Sequence, residues 1–382
     1  MHAQIARVPG GAASTGRTGG ITGLVYGAVR GTTRVVAGGL DLLLSQLEPM
    51  FEPGPSSPRR EAVLAALNGV LGDRLEASDN PLAITMSLRS GGVPLALTRE
   101  TLAAALPQAS GRVLLLVHGL CMNDLQWARD GADFGAALAR DLGATPVYLH
   151  YNTGRHVAAN GRDFAALMQT LIDAWPVPVD GIDLLTHSMG GLVARSALHQ
   201  ARVGGQRWPQ RVRKLIFLGT PHHGAPLERG GQRLDMLLSL SGYTAPFKRL
   251  GRLRSAGITD LRHGSVLVSD DNTDGDENRF AHGKDTRTPL PLPPGIEAFA
   301  LAGVAAERDD GLPARLLGDG LVPLASALGQ HRSPALQLVF DDAHRWVAPD
   351  TNHLQLQTSP AVYEQVRGWL AGEPAASGPS TA

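Results

Sequence analysis

One serine stands where a pattern typical of a strand gives way to a pattern typical of a helix. Ser188 lies within "THSMGG", after the apolar run "IDLL" and before "LVARSA". A serine hydroxyl attacks well only when a neighbouring base removes its proton. A sharp strand-to-helix turn projects the hydroxyl toward such a base, and small flanking residues are needed because the turn is crowded. Thr186 replaces the first glycine of G-x-S-x-G, and an ordinary turn or N-cap serine is the simpler interpretation.

A nucleophilic serine also needs two N–H donors for the negative charge that develops on the substrate oxygen. The backbone N–H of Met189, directly after Ser188, is one candidate. The apolar run at 113–117 is followed by His118-Gly119-Leu120, and Leu120 offers the second N–H. We expect Gly119 to permit an unusual backbone turn and His118 to shape the loop by hydrogen bonding. The alternative is an ordinary strand-to-helix loop.

The acid of such a site follows the serine in the chain and precedes the histidine. Asp319, in "LLGDGLVPLASA", follows an apolar patch and has glycine on both sides. A carboxylate held in such a turn can orient an imidazole. Asp341 and Asp342 directly follow a predicted strand at 335–340, so they are the main alternatives. Asp309 and Asp310 lie in a charged loop.

The base is sought among the histidines beyond Ser188. His353, in "DTNHLQLQTSP", lies in a loop before the last predicted helix, where a catalytic base belongs. His344 is the main alternative and His331 is a weaker one. His222 and His223 follow the next strand too closely to fit the expected chain order.

Strands and helices alternate over most of the chain. A hairpin is predicted at 84–98 with its turn at Ser90-Gly-Gly. Further strands are predicted at 113–117, 145–151, 182–186, 213–220, 296–304 and 335–340, and helices at 59–72, 161–175, 189–200 and 361–371. This alternation predicts a mostly parallel sheet with helices on both faces.

Five segments are predicted along the chain. Residues 1–20 form a disordered N-terminus, 21–80 a helical extension, 81–371 the main domain, 225–294 a lid-like insertion within it, and 372–382 a disordered tail. Apolar residues recur at helical spacing over 21–48, with charged residues on the other side. This amphipathic stretch packs on the main domain, or it contacts a membrane surface or lipid substrate.

The composition excludes several classes of function. The 382 residues carry a net charge of zero and no basic cluster with interleaved aromatics, which argues against nucleic-acid binding. The single cysteine, Cys121, excludes an intrachain disulfide and a cysteine-built zinc site. Neither a secretory signal nor an apolar run of membrane-spanning length is evident. We therefore expect a cytoplasmic location, with membrane association through residues 21–48 as the alternative.

No metal and no cofactor is predicted. Residues 270–281 match the first positions of a calcium loop, but Ala281 stands where glutamate is required, so a solvated acidic loop is the better interpretation. His222 and His223 lack the H-E-x-x-H pattern of a zinc hydrolase.

The ordered set "VHGL", "HSMGG", "LGTPHHGAP", "GDGLVPLASA" and "NHLQL" resembles the α/β-hydrolase superfamily. Within it, the chain is similar to bacterial esterases and lipases related to the GPI inositol-deacylase group. The resemblance covers about residues 82–371. It implies the α/β-hydrolase fold, Ser188 as nucleophile, Asp319 as acid and His353 as base. It also implies an oxyanion hole at Leu120 and Met189, and no obligatory cofactor.

These residues together predict a serine hydrolase that cleaves a small-molecule ester or lipid through an acyl-enzyme intermediate. The lid-like insertion and apolar loops favour an acyl ester. The fold and triad serve many ester substrates, so the resemblance does not carry over the inositol-deacylase substrate. Two alternatives stay open: an acyltransferase using the same triad, and a non-catalytic binding module.

Overall fold

The computed structural model describes residues 57–129, 132–225, 255–268, 285, 287–305 and 318–373. The predictions made for residues 1–48, for the calcium-like loop at 270–281 and for residues 374–382 lie outside these ranges. The predicted membrane contact of residues 21–48 therefore stays a prediction. The chain divides into two compact units, Met1–Arg60 and Glu61–Ala382, and the second contains every predicted site residue.

The second unit is built around an eight-stranded sheet. Its strands are β1 (Ser87–Ser90), β2 (Val93–Pro94), β3 (Arg112–Val117), β4 (Thr145–His150), β5 (Gly181–His187), β6 (Val212–Leu218), β7 (Glu297–Gly303) and β8 (Arg345–Ala348). Their order across the sheet is β8-β7-β6-β5-β3-β4-β1-β2. β1 is antiparallel to both of its neighbours, and every other pair is parallel. The predicted α/β-hydrolase fold class is confirmed.

Helices cover both faces of this sheet. The helices of the described ranges are α1 (Pro58–Ala77), α2 (Arg99–Ala105), α3 (Phe134–Leu142), α4 (Val157–Ala174), α5 (Met189–Val203), α6 (Ala256–Asp260), α7 (Leu324–Ala327) and α8 (Pro360–Ala371). Leu114 and Leu116 of β3 share one buried cluster with Phe134 of α3 and Val366 of α8. On the opposite face, α5 lies against the ring of Phe217 and packs on α4. The central strands are therefore buried on both sides, which explains why β3 is continuously apolar from Val113 to Val117.

The parallel strands bring three predicted site segments to one edge of the sheet. Because parallel strands end on the same side, the loop after β3, the turn after β5 and the loop after β7 meet there. The first holds Leu120, the second Ser188 and the third Asp319. His353 joins them from the segment after β8.

The predicted hairpin at 84–98 is confirmed, whereas the predicted strand at 335–340 is wrong. In the hairpin, Ser90 pairs with Val93 across a turn whose glycines have positive φ. Residues 335–336 belong to a turn in which the Leu336 N–H donates to the carbonyl of Ser333 at 3.1 Å. Burial alternates only over 338–340, where Leu338 is 4% and Val339 80% exposed. The Leu338 N–H donates to the carbonyl of Gly329 and pairs with no strand of the described sheet, and the outer strand of the sheet is β8.

We predict that Asp183→Asn destabilises the fold. Asp183 of β5 is 1% exposed and accepts hydrogen bonds from Arg112 Nε and Arg213 Nη2, both at 2.8 Å. A hydrogen bond to a buried charged group contributes about 1.5–3 kcal/mol, so the free energy of unfolding should fall by about 2 kcal/mol. Urea denaturation measures this loss.

Asp173→Asn is the matched control, because Asp173 pairs with Arg207 at 2.8 Å while both side chains are at least half exposed. An exposed pair contributes less than about 1 kcal/mol. Equal losses of stability in the two variants would contradict the argument from burial.

Candidate active site

Ser188 occupies a strained turn between β5 and α5. Its backbone has φ 54° and ψ −127°, and its side chain makes no capping hydrogen bond to the helix. A non-glycine residue with positive φ costs free energy, and such strain is concentrated at functional sites. The Ser188 side chain therefore does not cap α5, and the residue lies in a sharp strand-to-helix turn of the kind that projects a hydroxyl. The Ser188 N–H donates to the carbonyl of Leu218 at 2.8 Å, which ties the turn to the end of β6.

The small residues around Ser188 are required by close contacts. A Cβ on Gly119 would lie 2.8 Å from Ser188 Cβ, and a Cβ on Gly190 would lie 2.6 Å from the carbonyl oxygen of Val117. Gly119 was expected to permit an unusual turn; the structure shows instead that it is needed for close approach, while the positive φ of this loop falls on Cys121. Thr186 fits in place of glycine because its hydroxyl donates to the carbonyl of Ile216 at 2.9 Å.

Asp319 and His353 form a buried pair. His353 Nδ1 lies 2.6 Å from Asp319 Oδ2, and the side chains are 4% and 1% exposed. The other carboxylate oxygen, Oδ1, accepts from the N–H groups of Leu321 and Val322 at 3.0 and 2.9 Å. The His353 N–H also donates to the Asp319 carbonyl at 3.0 Å. Since the carboxylate accepts at Nδ1, the Nδ1 position carries the hydrogen and Nε2 is left as the basic atom.

Ser188 lies next to this pair. Gly219 follows the Leu218 carbonyl to which Ser188 donates, and a Cβ on Gly219 would be 2.9 Å from Asp319 Oδ2 and 3.2 Å from His353 Cε1. The acid–base half of the predicted triad is thus assembled. Within the described ranges Ser188 Oγ makes no hydrogen bond to His353 or to any other group. Such contacts often tighten only when substrate binds.

The main alternative acids, Asp341 and Asp342, lie away from His353, whereas Asp309 and Asp310 fall outside the described residues. Asp341 and Asp342 are exposed; Asp341 is 3.8 Å from His344 Nδ1, and Asp342 pairs with Arg345. The sequence left these aspartates open because they follow an apolar alternation. The structure places Asp319, and neither of them, against His353.

Two backbone N–H groups flank the space beside Ser188. In the described part of the chain, neither the Leu120 nor the Met189 N–H has a hydrogen-bond acceptor. The Gly119 carbonyl, in the same peptide unit as the Leu120 N–H, accepts from His118 Nδ1 at 3.0 Å and from the Met122 N–H at 3.2 Å. Because a trans peptide points its C=O and N–H in opposite directions, these bonds aim the Leu120 N–H away from them. The arrangement suits an oxyanion hole.

His118 holds the loop as a neutral imidazole. It is completely buried, and burial lowers its pKa to about 3. Its ring stacks on Tyr151 with centroids 4.5 Å apart, and the Tyr151 hydroxyl donates to the His118 carbonyl at 2.8 Å. The predicted role of His118 in shaping this loop is consistent with these contacts.

Helix α1 and the segment around α6 also surround the site. A Cβ on Gly69 of α1 would lie 2.2 Å from Cys121 Sγ, directly after Leu120. A Cβ on Gly257 of α6 would lie 3.1 Å from Met189 Cε. Ser255 Oγ donates to the Gly69 carbonyl at 2.7 Å, which joins the two elements. The stretch 255–268 of the predicted lid is thus packed in place, and a moving lid stays a prediction for the rest.

His187, which the sequence left without a role, contacts the predicted base. Its Nε2 donates to the His353 carbonyl at 2.9 Å, and the two rings lie 4.7 Å apart. A Cβ on Gly119 would lie 3.2 Å from His187 Nδ1. The buried His187 side chain therefore contacts both the segment that holds His353 and the loop His118–Leu120 after β3. The signal available in the sequence was its position directly before Ser188.

We predict that His187→Leu lowers kcat about tenfold and leaves KM nearly unchanged, because one hydrogen bond that positions the base is lost. His187→Gln keeps an N–H donor at similar reach and should restore most of kcat. Steady-state kinetics on an activated ester measures both. Equal loss in the two variants would contradict a role for this hydrogen bond.

Two further features concern the described residues as a whole. Among the helices of the described residues, none combines the length and the hydropathy that a membrane-spanning segment requires. Those residues contain no group of three or more histidine, cysteine, aspartate or glutamate side chains that could hold a metal ion.

The chain resembles several known proteins at low identity. Residues 93–261 match a family model described as a domain of unknown function, DUF7379. No curated protein matches the chain. Solved structures that resemble it include Bacillus licheniformis lipase BlEst2 in mature form, at 21% identity and a TM-score of 0.43, covering 68% of this chain and 91% of that one. EstA from Clostridium botulinum has 12% identity and a TM-score of 0.42, with 70% and 89% covered.

Proposed function

We propose that this protein is a serine hydrolase that cleaves carboxylic esters. The observation that carries the proposal is the strained Ser188 beside a buried Asp319–His353 pair. Beside it lie two backbone N–H groups that have no acceptor among the described residues. Each part has an ordinary explanation by itself. Their convergence at the end of the parallel strands is what an acyl-transfer site requires.

In the proposed reaction His353 Nε2 removes the proton from Ser188 Oγ, which attacks the ester carbonyl carbon. The Leu120 and Met189 N–H groups stabilise the oxyanion. His353 then gives its proton to the departing alcohol, which leaves an acyl group on Ser188. Water, deprotonated by His353, releases the acid and restores the serine. Asp319 keeps the Nδ1 hydrogen in place and stabilises the charged imidazole.

We further propose an acyl or lipid ester as the substrate. Support comes from the apolar side chains beside Ser188: Met189 and Leu120 are buried, and Met189 contacts α6, whose Ile258 is 5% exposed. An apolar wall favours an acyl chain over a small polar ester. The likeness to the GPI inositol-deacylase group stays a prediction.

Covalent labelling with a fluorophosphonate tests the proposal in the wild-type protein. We expect one equivalent of probe, and peptide mapping should place it on Ser188. Absence of labelling would favour the non-catalytic binding module.

Turnover of p-nitrophenyl esters of increasing acyl length then tests the substrate class, and we expect a preference for longer chains. Product analysis with an added alcohol distinguishes water from alcohol as acceptor. Transesterified product in excess over free acid would favour the acyltransferase.

A further inference from the structure

A buried arginine on α5 has no carboxylate partner among the residues that the structure describes. Arg195 is 5% exposed and lies two turns beyond Ser188. Its Nη2 donates to the Leu290 carbonyl at 2.5 Å, and its Nη1 is 3.5 Å from His222 Nδ1. Its Nε is buried with no hydrogen-bond partner among the described residues. A guanidinium carries five N–H donors, so most of the donor capacity of Arg195 is unused.

A second guanidinium lies beside it. The Arg287 side chain is 7% exposed and donates through Nη1 to the carbonyl of His222 at 3.0 Å. Its Nε and Nη2 both contact Asp285 at 2.9 Å. Asp285 therefore neutralises Arg287 alone, and among the described residues the charge of Arg195 has no carboxylate to balance it. Burial, and then the charge of Arg287, lower the pKa of Arg195 to about 10, so Arg195 is still protonated at neutral pH.

The two neighbouring histidines, His222 and His223, do not balance the charge of Arg195. His222 offers a further N–H donor. His222 is completely buried, and burial lowers its pKa well below the usual value, so it is neutral. Because Arg195 Nη1 faces its Nδ1, the hydrogen of the neutral ring sits on Nε2, which has no acceptor in the described ranges. Burial likewise lowers the pKa of His223 to about 4.

These side chains surround a small cavity. Arg195, His222, His223 and Arg287 line it together with Val266 and Leu290, and its volume is about 10 Å³. A space of this size holds one occupant comparable to a water molecule. It is too small for a carboxylate or a phosphate group.

We propose that this cavity binds a monoatomic anion of halide size. A water molecule would accept from the unused N–H groups but would leave the excess positive charge uncompensated. A buried charge is stable only when it is paired as well as hydrogen-bonded. The proposal does not depend on the chemistry of Ser188, since none of the four charged or imidazole groups belongs to the proposed triad.

Thermal unfolding tests the proposal. In the full-length protein, sodium bromide replaces sodium gluconate at constant ionic strength. Above its Kd, a ligand that binds only the folded state stabilises with the logarithm of its concentration, so we expect Tm to rise by about 2 °C per tenfold increase in bromide. A general salt effect would be linear in concentration and would overturn the proposal.

Two variants distinguish bromide binding in the cavity from an effect of bromide on the protein surface. Arg195→Gln removes the central cation and should abolish the rise in Tm. Arg202→Gln is the matched control: Arg202 is on the same helix and also donates to a carbonyl of the following segment, that of Pro294, at 2.7 Å, but it is exposed. This variant should keep the rise. Equal responses of the two variants would contradict the assignment.

Crystals of the wild type grown in bromide provide a test that does not depend on how the variants fold. Anomalous scattering should show one peak within hydrogen-bonding distance of Arg195 Nε. An occupied cavity without an anomalous peak would identify its occupant as water and overturn the proposal.

Discussion

Alanine in place of Ser188 should lower kcat for ester hydrolysis by about 10⁴- to 10⁶-fold, because the attacking oxygen is removed. A residual rate should persist, since the two N–H groups at Leu120 and Met189 still stabilise an oxyanion formed by water. Fluorophosphonate labelling should disappear with the activity. Steady-state kinetics on a p-nitrophenyl ester measures the loss.

Ser196→Ala is the matched control for this change. Ser196 is also buried on α5, where its hydroxyl accepts from Gln200 Nε2 at 3.0 Å, and it lies away from the Asp319–His353 pair. Alanine also retains the strained backbone at position 188, so Ser188→Ala should fold as the wild type does. Turnover that survives in Ser188→Ala would remove the mechanism.

The second large effect is expected from Asp319→Asn, with a loss in kcat of about 10⁴-fold. Leu321 and Val322 donate to Oδ1 of Asp319, so the amide oxygen of asparagine should take that position. The amide NH2 then faces His353 Nδ1, which must become an acceptor. The hydrogen moves to Nε2, and the imidazole can no longer accept the proton of Ser188.

The alternative acids provide the comparison for this variant. Asp341→Asn and Asp342→Asn alter exposed carboxylates that have no contact with His353 in the described structure, so kcat should stay near the wild-type value. A large loss in either of these, with Asp319→Asn active, would reassign the acid. Circular dichroism of all three variants checks that the fold is kept.

Short sequence patterns were sufficient to predict the buried strands, the fold class and the turns that hold Ser188 and Asp319. The apolar runs of β3 and β5 predicted buried parallel strands, and the fold class follows from their alternation with helices. Ser188 and Asp319 could be chosen because each lies in a turn that follows an apolar run. The prediction of a strand at 335–340 failed because Leu338 and Phe340 bury their apolar side chains against Gly329, without a neighbouring strand to pair with.

Other features depend on contacts between distant parts of the chain, which periodicity does not report. The contact of His187 with the His353 carbonyl joins positions 166 residues apart. The excess charge at Arg195 becomes visible only when Leu290, Arg287 and His222 are brought around it. The glycine-flanked turn favoured Asp319 over Asp341 in the sequence, and the folded chain adds the contact of Asp319 Oδ2 with His353 Nδ1 at 2.6 Å.

Helix α1 has a consequence for where the functional unit begins. The resemblance to hydrolases starts near residue 82, yet Gly69 contacts Cys121, and a Cβ on Gly72 would lie 1.8 Å from Asn152 Oδ1. A protein truncated to residues 81–382 would lose one wall of the oxyanion loop while keeping every predicted catalytic group. Among homologues, a larger residue at position 72 should be accompanied by a smaller one at position 152. The stretch of chain that evolves together would then include α1 and extend before the motifs that begin near residue 82.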